Sequence, residues 1–274
     1  MSGGFFKSVV PGDGHEPPVI DVTVAHQARV YDYTLGGKDN FPADREAAEK
    51  AMQANPDVAP TARANRAFLG RAVRYLAAEA GIRQFLDIGT GIPSAGNTHE
   101  IAQAVAPESR IVYVDNDPIV LAHARALLTS APGGETAYLD ADARDPDTIL
   151  ARAAETLDFS QPVAIMMLLI LHVIDDPSAV TSRLLDAVPS GSYLAVSVPA
   201  SDIQAEASAA AARRVNEQMP GTFNLLSRPQ VARFFDGLEL LEPGVVPANH
   251  WRPGPAGPDP ARDLPCHVAV GRKR

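Results

Sequence analysis

Cysteine is almost missing from this sequence: Cys266 is the single one in 274 residues. A lone thiol excludes an internal disulfide and any cysteine-based zinc site, which fits a reducing compartment. Long hydrophobic runs are missing too. The longest, Val163 to Leu171, is far below the roughly 20 residues that span a bilayer. The opening "MSGGFFKSVVPGDGHEPP" is broken by glycine and proline where a signal peptide needs an apolar stretch. The expectation is a cytoplasmic protein that engages no membrane. Positive charge is scarce as well. The formal net charge of -9 would repel a nucleic-acid polyanion, so none is expected as partner.

What is present is ordinary in amount: 46% apolar and 21% charged residues, enough for one large α/β core with appendages or for two small domains. The chain divides into a flexible N-terminal tail over 1–24, a flap and helical cap over 25–81, and a main domain over 82–274. In the cap, "RVYDYTLGGKDNF" (Arg29 to Phe41) shows neither helical period nor strand alternation. Asp44 to Ala54 then reads as a short helix stopped by Asn55-Pro56. Thr61 to Ala80 reads as a longer one, with Gly81 at its C-cap. The arginines on that helix (63, 66, 71 and 74) read as a solvated face.

From Arg83 onward, apolar strands alternate with helices. The strands are "QFLDIG", "RIVYVD", "TAYLDAD", "PVAIMMLLIL" and "SYLAVSVP". The helices between them include "THEIAQAVA", "IVLAHARALLT", "DTILARAAETL" and "SAVTSRLLDAV". This pattern predicts βαβ units and a mostly parallel sheet with helices on both faces. An Ala-rich helix (Ser201 to Met219) and a helix capped by Ser227 follow. "LELLEPGVV" and "HVAVGRK" supply two last strands, separated by a Pro/Gly-rich loop predicted to be exposed and mobile.

In an open parallel sheet, ligands bind beyond the carboxyl ends of the strands. The first strand ends in "DIGTGIPS", with Asp87, Gly89, Thr90 and Gly91 around a tight turn. The second ends in Asp115, at a spacing from Gly91 of 115 − 91 = 24, where an acidic residue can accept bonds from a ribose diol. The third ends in "DADA", where Asp142 can accept a bond from an adenine amino group. Three such pieces in order point to an adenosine-containing cofactor. NAD needs a helix N-terminus directly after the glycine turn for its pyrophosphate. Here Ser94 stands at the third glycine, and the Asn97/Glu100 capping box puts the helix start later. S-adenosylmethionine (SAM) has no phosphate, and its methionine amino group favours a carboxylate such as Asp87. The residues favour SAM.

"DIGTG", "VYVDND", "LDAD" and "LILHVI" at these intervals resemble the class I SAM-dependent methyltransferases. With "ARVYDYTLGGKDNF", "ARANRAFLGRAVRYLA", "FLDIGTGIP", "VYVDNDPIVLAHARALL" and "RFFDGLELLEPGVV", the chain is similar to one actinobacterial methyltransferase family, long catalogued as a domain of unknown function. The resemblance implies a Rossmann-like, seven-stranded, mostly parallel sheet with its last strand antiparallel. It also implies Asp87, Gly89 and Gly91 around the methionine moiety, Asp115 on the ribose, and Asn116, Asp142 and the Ala143 backbone beside the adenine. Pro93 stands where the general pattern often has a third glycine.

Methyl transfer asks mainly for alignment, and for a base if the acceptor is protonated. His172, at the end of "IMMLLILH", is the candidate base, or else a strand-end histidine bonded to backbone. The 29–41 stretch reads as a lid over the cofactor, with Tyr33 a second catalytic candidate and Asp39 and Asn40 facing the ligand; the alternative is structural packing around a Gly-Gly turn. No metal is expected, although Asp140, Asp142 and Asp145 form an acidic cluster. The expected partner is a small-molecule methyl acceptor. The competing readings are a non-catalytic SAM-binding protein and an NAD-dependent oxidoreductase. Monomer and homodimer are both compatible with the sequence.

Overall fold

The computed structural model describes residues 21–120, 132–253 and 262–274. Most of the predicted tail, of the helix "IVLAHARALLT" and of the Pro/Gly-rich loop lies outside the described residues. Three helices come first: α1 (Gln27–Thr34), α2 (Pro42–Ala54) and α3 (Val58–Ala78). The alternating part runs β1 (Gln84–Ile88), α4 (Thr98–Val105), β2 (Arg110–Asp115), β3 (Glu135–Asp140), α5 (Pro146–Ala153), β4 (Ala164–Leu168), α6 (Pro177–Asp186) and β5 (Tyr193–Pro199). It closes with α7 (Ala205–Asn216), α8 (Arg228–Ala232), β6 (Leu238–Leu240), β7 (Val246–Pro247) and β8 (Cys266–Lys273).

The strands form one mixed sheet in the order β3-β2-β1-β4-β5-β8-β6, with β8 antiparallel to its neighbours. The sheet has eight strands, not the seven that the resemblance implied. The "LELLEPGVV" segment is cut by the Glu242-Pro243-Gly244 turn, and its second half forms the two-residue β7 on the edge of β8. The chain leaves β1 outward to β2 and β3, then crosses back to put β4 on the other side of β1. The resulting switch point, at the carboxyl ends of β1 and β4, is where an open sheet leaves a crevice.

Successive side chains on a strand point to opposite faces, so each strand feeds two cores. Leu86, Ile88, Val112 and Val114 pack with Ile149 of α5 and Leu184 of α6. Phe85, Ile111 and Tyr113 pack with Phe68, Val73 and Leu76 of α3. Each large apolar side chain fully buried in this way contributes about 1.5–3 kcal/mol. Helix α3 is therefore a wall of the main core.

Two local expectations are corrected. The 29–41 stretch is not irregular throughout: its first half is helix α1. His26 stands at the N-cap position of that helix, and Gly36, at φ +86°, ends it. The Asp32 carboxylate then folds the turn, accepting from the Asp39 amide and the Asn40 side chain, both at 2.9 Å. A Cβ on Gly37 would lie 2.0 Å from that carboxylate, which is why the second glycine is needed. The fourth strand also ends early, at Leu168. Leu169 turns left-handed, with φ +54°, a conformation that costs a branched side chain energy. His172 is thereby moved off the strand into a one-turn 3-10 helix, Leu171–Val173.

Candidate active site

A cleft of about 300 Å³ opens at the carboxyl ends of β1, β2 and β3 and beside the turn after β4. Asp87, Gly89, Thr90, Gly91, Asp115, Asn116, Asp142 and Ala143 all line it. The glycines are there for conformation and closeness. Gly89 has φ +73°, and a Cβ on it would stand 2.7 Å from the Ile170 side chain. Gly91, at φ +67°, faces open space.

Asp115 accepts the Gly91 amide at Oδ2 (2.8 Å) and the Asp117 amide at Oδ1 (3.0 Å). A carboxylate has about four acceptor positions, so lone pairs remain on both oxygens. Burial raises its pKa. Asp87 is 5% exposed and accepts the Thr98 hydroxyl at 2.6 Å. Burial pushes its carboxyl up to about 6, although the Thr98 bond and the Arg66 charge pull the other way. Asp142 is held below the usual carboxylate range by Arg144, whose guanidinium bonds both of its oxygens. Asp145 accepts from the Thr148 amide and caps α5, so the acidic cluster is split between separate tasks.

The loop from Ile92 to Gly96 separates the glycine turn from α4, which begins at Thr98, 98 − 91 = 7 residues after Gly91. Asn97 and Glu100 form the capping box, Glu100 accepting from the amides of Asn97 (3.1 Å) and Gly96 (2.6 Å). Arg66 braces the same loop through the carbonyls of Ala95 and Gly96. It lines the cleft. Arg71 donates instead to the carbonyls of Trp251 and Ala248. Two of the arginines read as a solvated face thus have structural work. Trp251 is fully buried and packs edge-on against Phe68, so it anchors its loop.

Three candidates are placed elsewhere than the sequence suggested. Tyr33 does not line the cleft; its hydroxyl donates to Glu49 on α2 at 2.9 Å. Asn40 is buried in the α1–α2 corner, bonded to Asp32, the Gly37 carbonyl and Arg45. His172 is 1% exposed and sits outside the cleft lining. Burial pushes its pKa down to about 3. Its Nε2 lies 2.9 Å from the amide nitrogen of Gln27, which can only donate, so Nε2 accepts and the neutral ring carries its proton on Nδ1. In this arrangement the Nε2 lone pair is already engaged by Gln27.

The residues missed from sequence are His26, Gln27 and Asn65, which line the cleft together with Tyr31 of the 29–41 stretch. The Nδ1 of His26 is 2.7 Å from an oxygen of Asp117. Asn65 donates to the Tyr31 hydroxyl at 2.9 Å. No periodicity announces these contacts, because they depend on how α1 and α3 meet over the sheet.

A family model described as S-adenosyl methyltransferase matches residues 13–274. The chain belongs to that family. It is a SAM-dependent methyltransferase. The methyltransferase is similar to a DUF574 family protein from Streptomyces avermitilis, with 47% identity, 93% of this chain and 99% of that one covered, and a TM-score of 0.90. It is also similar to a candidate methyltransferase from Thermobifida fusca, with 42% identity, coverage of 92% and 96%, and a TM-score of 0.84. A SAM-dependent methyltransferase from Anabaena variabilis shares the fold at 16% identity and a TM-score of 0.51, over 94% of this chain and 98% of that one. No curated protein matches the methyltransferase. Among the described residues, no helix is long and apolar enough to cross a membrane.

Proposed function

We propose that this methyltransferase transfers the methyl group of SAM to a small-molecule acceptor, with the cofactor held in the 300 Å³ cleft. The observation that carries the site reading is Asp115. Its two oxygens are fixed by the Gly91 and Asp117 amides yet keep lone pairs toward the cleft, an arrangement suited to a ribose diol. Asp87 would face the methionine amino group, Gly89, Thr90 and Gly91 would let the ligand approach the backbone, and Asn116, Asp142 and Ala143 would border the adenine. The late start of α4 argues in the same direction, because it leaves no helix N-terminus at the glycine turn for a pyrophosphate.

Bound SAM would supply an activated methyl group: the acceptor's lone pair would form the new bond to the methyl carbon, the carbon–sulfur electron pair would return to sulfur, and a proton carried by the acceptor would leave to water. The chain's own contribution is placement. Leu169 and Ile170 form the cleft wall nearest β4, and Gln27 fastens the Leu169 carbonyl to α1 at 3.1 Å. We assign residues 25–81 the role of cap over the site, with 82–274 as the cofactor-binding domain. The acidic net charge disfavours nucleic acid as acceptor.

Calorimetric titration with SAM, S-adenosylhomocysteine and NAD, repeated on Asp115→Ala, tests the assignment. Binding of the two sulfur nucleosides, weakened by at least about tenfold in the variant, is the expected result. Undiminished binding to Asp115→Ala would remove Asp115 from the site.

A further inference from the structure

A second cavity, of about 150 Å³, lies beside the cofactor cleft. Gln27, Tyr31, Leu169, Met219 and Phe223 line both. The two hollows therefore adjoin along these side chains, and an acceptor atom would meet the SAM methyl group at that shared border. The remaining walls come from α1, α2, α3, α7 and the end of β5. Among the described residues, no aspartate, glutamate, lysine or arginine lines this cavity.

Most of its polar groups are already committed. The hydroxyl of Thr34 donates to the Val30 carbonyl at 2.8 Å, that of Ser208 to the Ile203 carbonyl at 2.9 Å, and that of Tyr31 to the Ala62 carbonyl at 3.1 Å. Burial pushes the Cys266 thiol up to about 12, so it stays neutral. Two lining residues keep a buried polar atom without a partner: His172 at Nδ1 and Thr61 at its hydroxyl. Such groups can meet a hydroxyl or carbonyl oxygen, but not the needs of an ion. A charge pressed against these walls would give up part of its hydration with no counter-ion to replace it.

We propose that this cavity is the methyl-acceptor site, and that the acceptor is an uncharged small molecule presenting an apolar, ring-sized body to it. The proposal rests on the neighbouring cleft holding SAM. The size follows from the volume, since an apolar protein cavity of about 150 Å³ accommodates benzene. The limit on size is set where α2 and α7 face each other with alanines, Ala48 and Ala51 opposite Ala211 and Ala212. A larger side chain at any of these positions would fill the space from a wall the cofactor cleft does not share.

The test uses the full-length protein saturated with S-adenosylhomocysteine and titrated by calorimetry with phenol, benzoate and benzylammonium. These probes present one ring with no charge, a negative charge and a positive charge. The titrations are repeated on Ala211→Leu and Ala51→Leu. Phenol should bind, and both ions should bind at least about tenfold more weakly. Each leucine variant should lose at least about tenfold in phenol affinity while its affinity for S-adenosylhomocysteine is unchanged. Benzoate or benzylammonium binding as tightly as phenol, no phenol binding to the wild type, or phenol binding that survives both leucines would overturn the proposal. Failure of S-adenosylhomocysteine itself to bind the wild type is a separate outcome, which would sink the cofactor site and the acceptor site together.

Discussion

The amide nitrogen of Gln27 stands 2.9 Å from Nε2 of His172 and joins the first helix of the cap to the turn after β4. The same nitrogen donates to the carbonyl of Leu169, the residue whose left-handed backbone ends the strand. One side chain thus ties α1 to the sheet, bonds a strained turn and selects the tautomer of a buried histidine.

That relationship predicts that His172 does not titrate between pH 5 and pH 8, where an ordinary histidine would. Its folded pKa is depressed to about 3, so its contribution to stability is present above pH 6.5 and is lost as the pH falls below that value. Nitrogen-15 chemical shifts should report a neutral ring protonated at Nδ1 throughout the range. In Gln27→Ala the shifts should show a mixture of tautomers, and urea unfolding should report a loss of about 1–3 kcal/mol from the abandoned partners. A ring that titrates near pH 6.5 in the wild type would restore His172 as a candidate base.

Asp44 is the strongest stability prediction. It is fully buried, and one of its oxygens is 3.2 Å from Nε of Arg29 while accepting the His26 amide at 2.8 Å. The other oxygen accepts the Phe41 amide at 2.8 Å. Asp44→Ala leaves Arg29 buried and unpaired, so urea unfolding should show a loss of about 3–5 kcal/mol. A loss under about 1 kcal/mol would mean that water or Phe41 compensates the guanidinium.

The two glycines of the turn should fail differently. Gly89→Ala puts a methyl 2.7 Å from Ile170, in addition to a positive φ, and should cost stability as well as SAM affinity. Gly91→Ala meets no neighbour, so its stability loss should be limited to about 1–2 kcal/mol of backbone strain. Its methyl would project into open space beside the ligand path, so affinity should still fall. Thermal unfolding alongside calorimetry separates the two effects, and equal stability losses would contradict the clash at Ile170.

SAM affinity should depend on pH through Asp87. Burial raises this carboxyl to about 6, with Thr98 and Arg66 lowering it and Asp115 raising it. Below about pH 6 the free protein therefore favours the protonated acid: the stability Asp87 contributes is present at low pH and declines as the pH rises through about 6. A ligand ammonium favours the carboxylate. Binding should strengthen by up to about tenfold per pH unit on approach to pH 6 from below, and should release a proton there. Asp87→Asn should flatten the profile, and a profile unchanged by that substitution would place the ammonium elsewhere.

The sequence by itself determined the alternation of strands and helices, since an apolar run of strand length bounded by glycine can hardly be buried in another way. It also determined the Asn97/Glu100 capping box, which depends on residues three apart in the chain. That Asp87, Asp115 and Asp142 line one cleft was equally legible, because a parallel sheet brings the carboxyl ends of its strands to one side. Long-range contact decided the rest. Tyr33 and Asn40 have ligand-binding chemistry, but Glu49, Asp32 and Arg45 claim them once α1 and α2 fold into a corner. His172 has the composition of a base, but a left-handed Leu169 and the reach of Gln27 across 172 − 27 = 145 positions make it a buried neutral ring. The second cavity has no sequence signature, because its walls come from separate helices, α1, α2, α3 and α7 among them, and their meeting depends on how those helices pack.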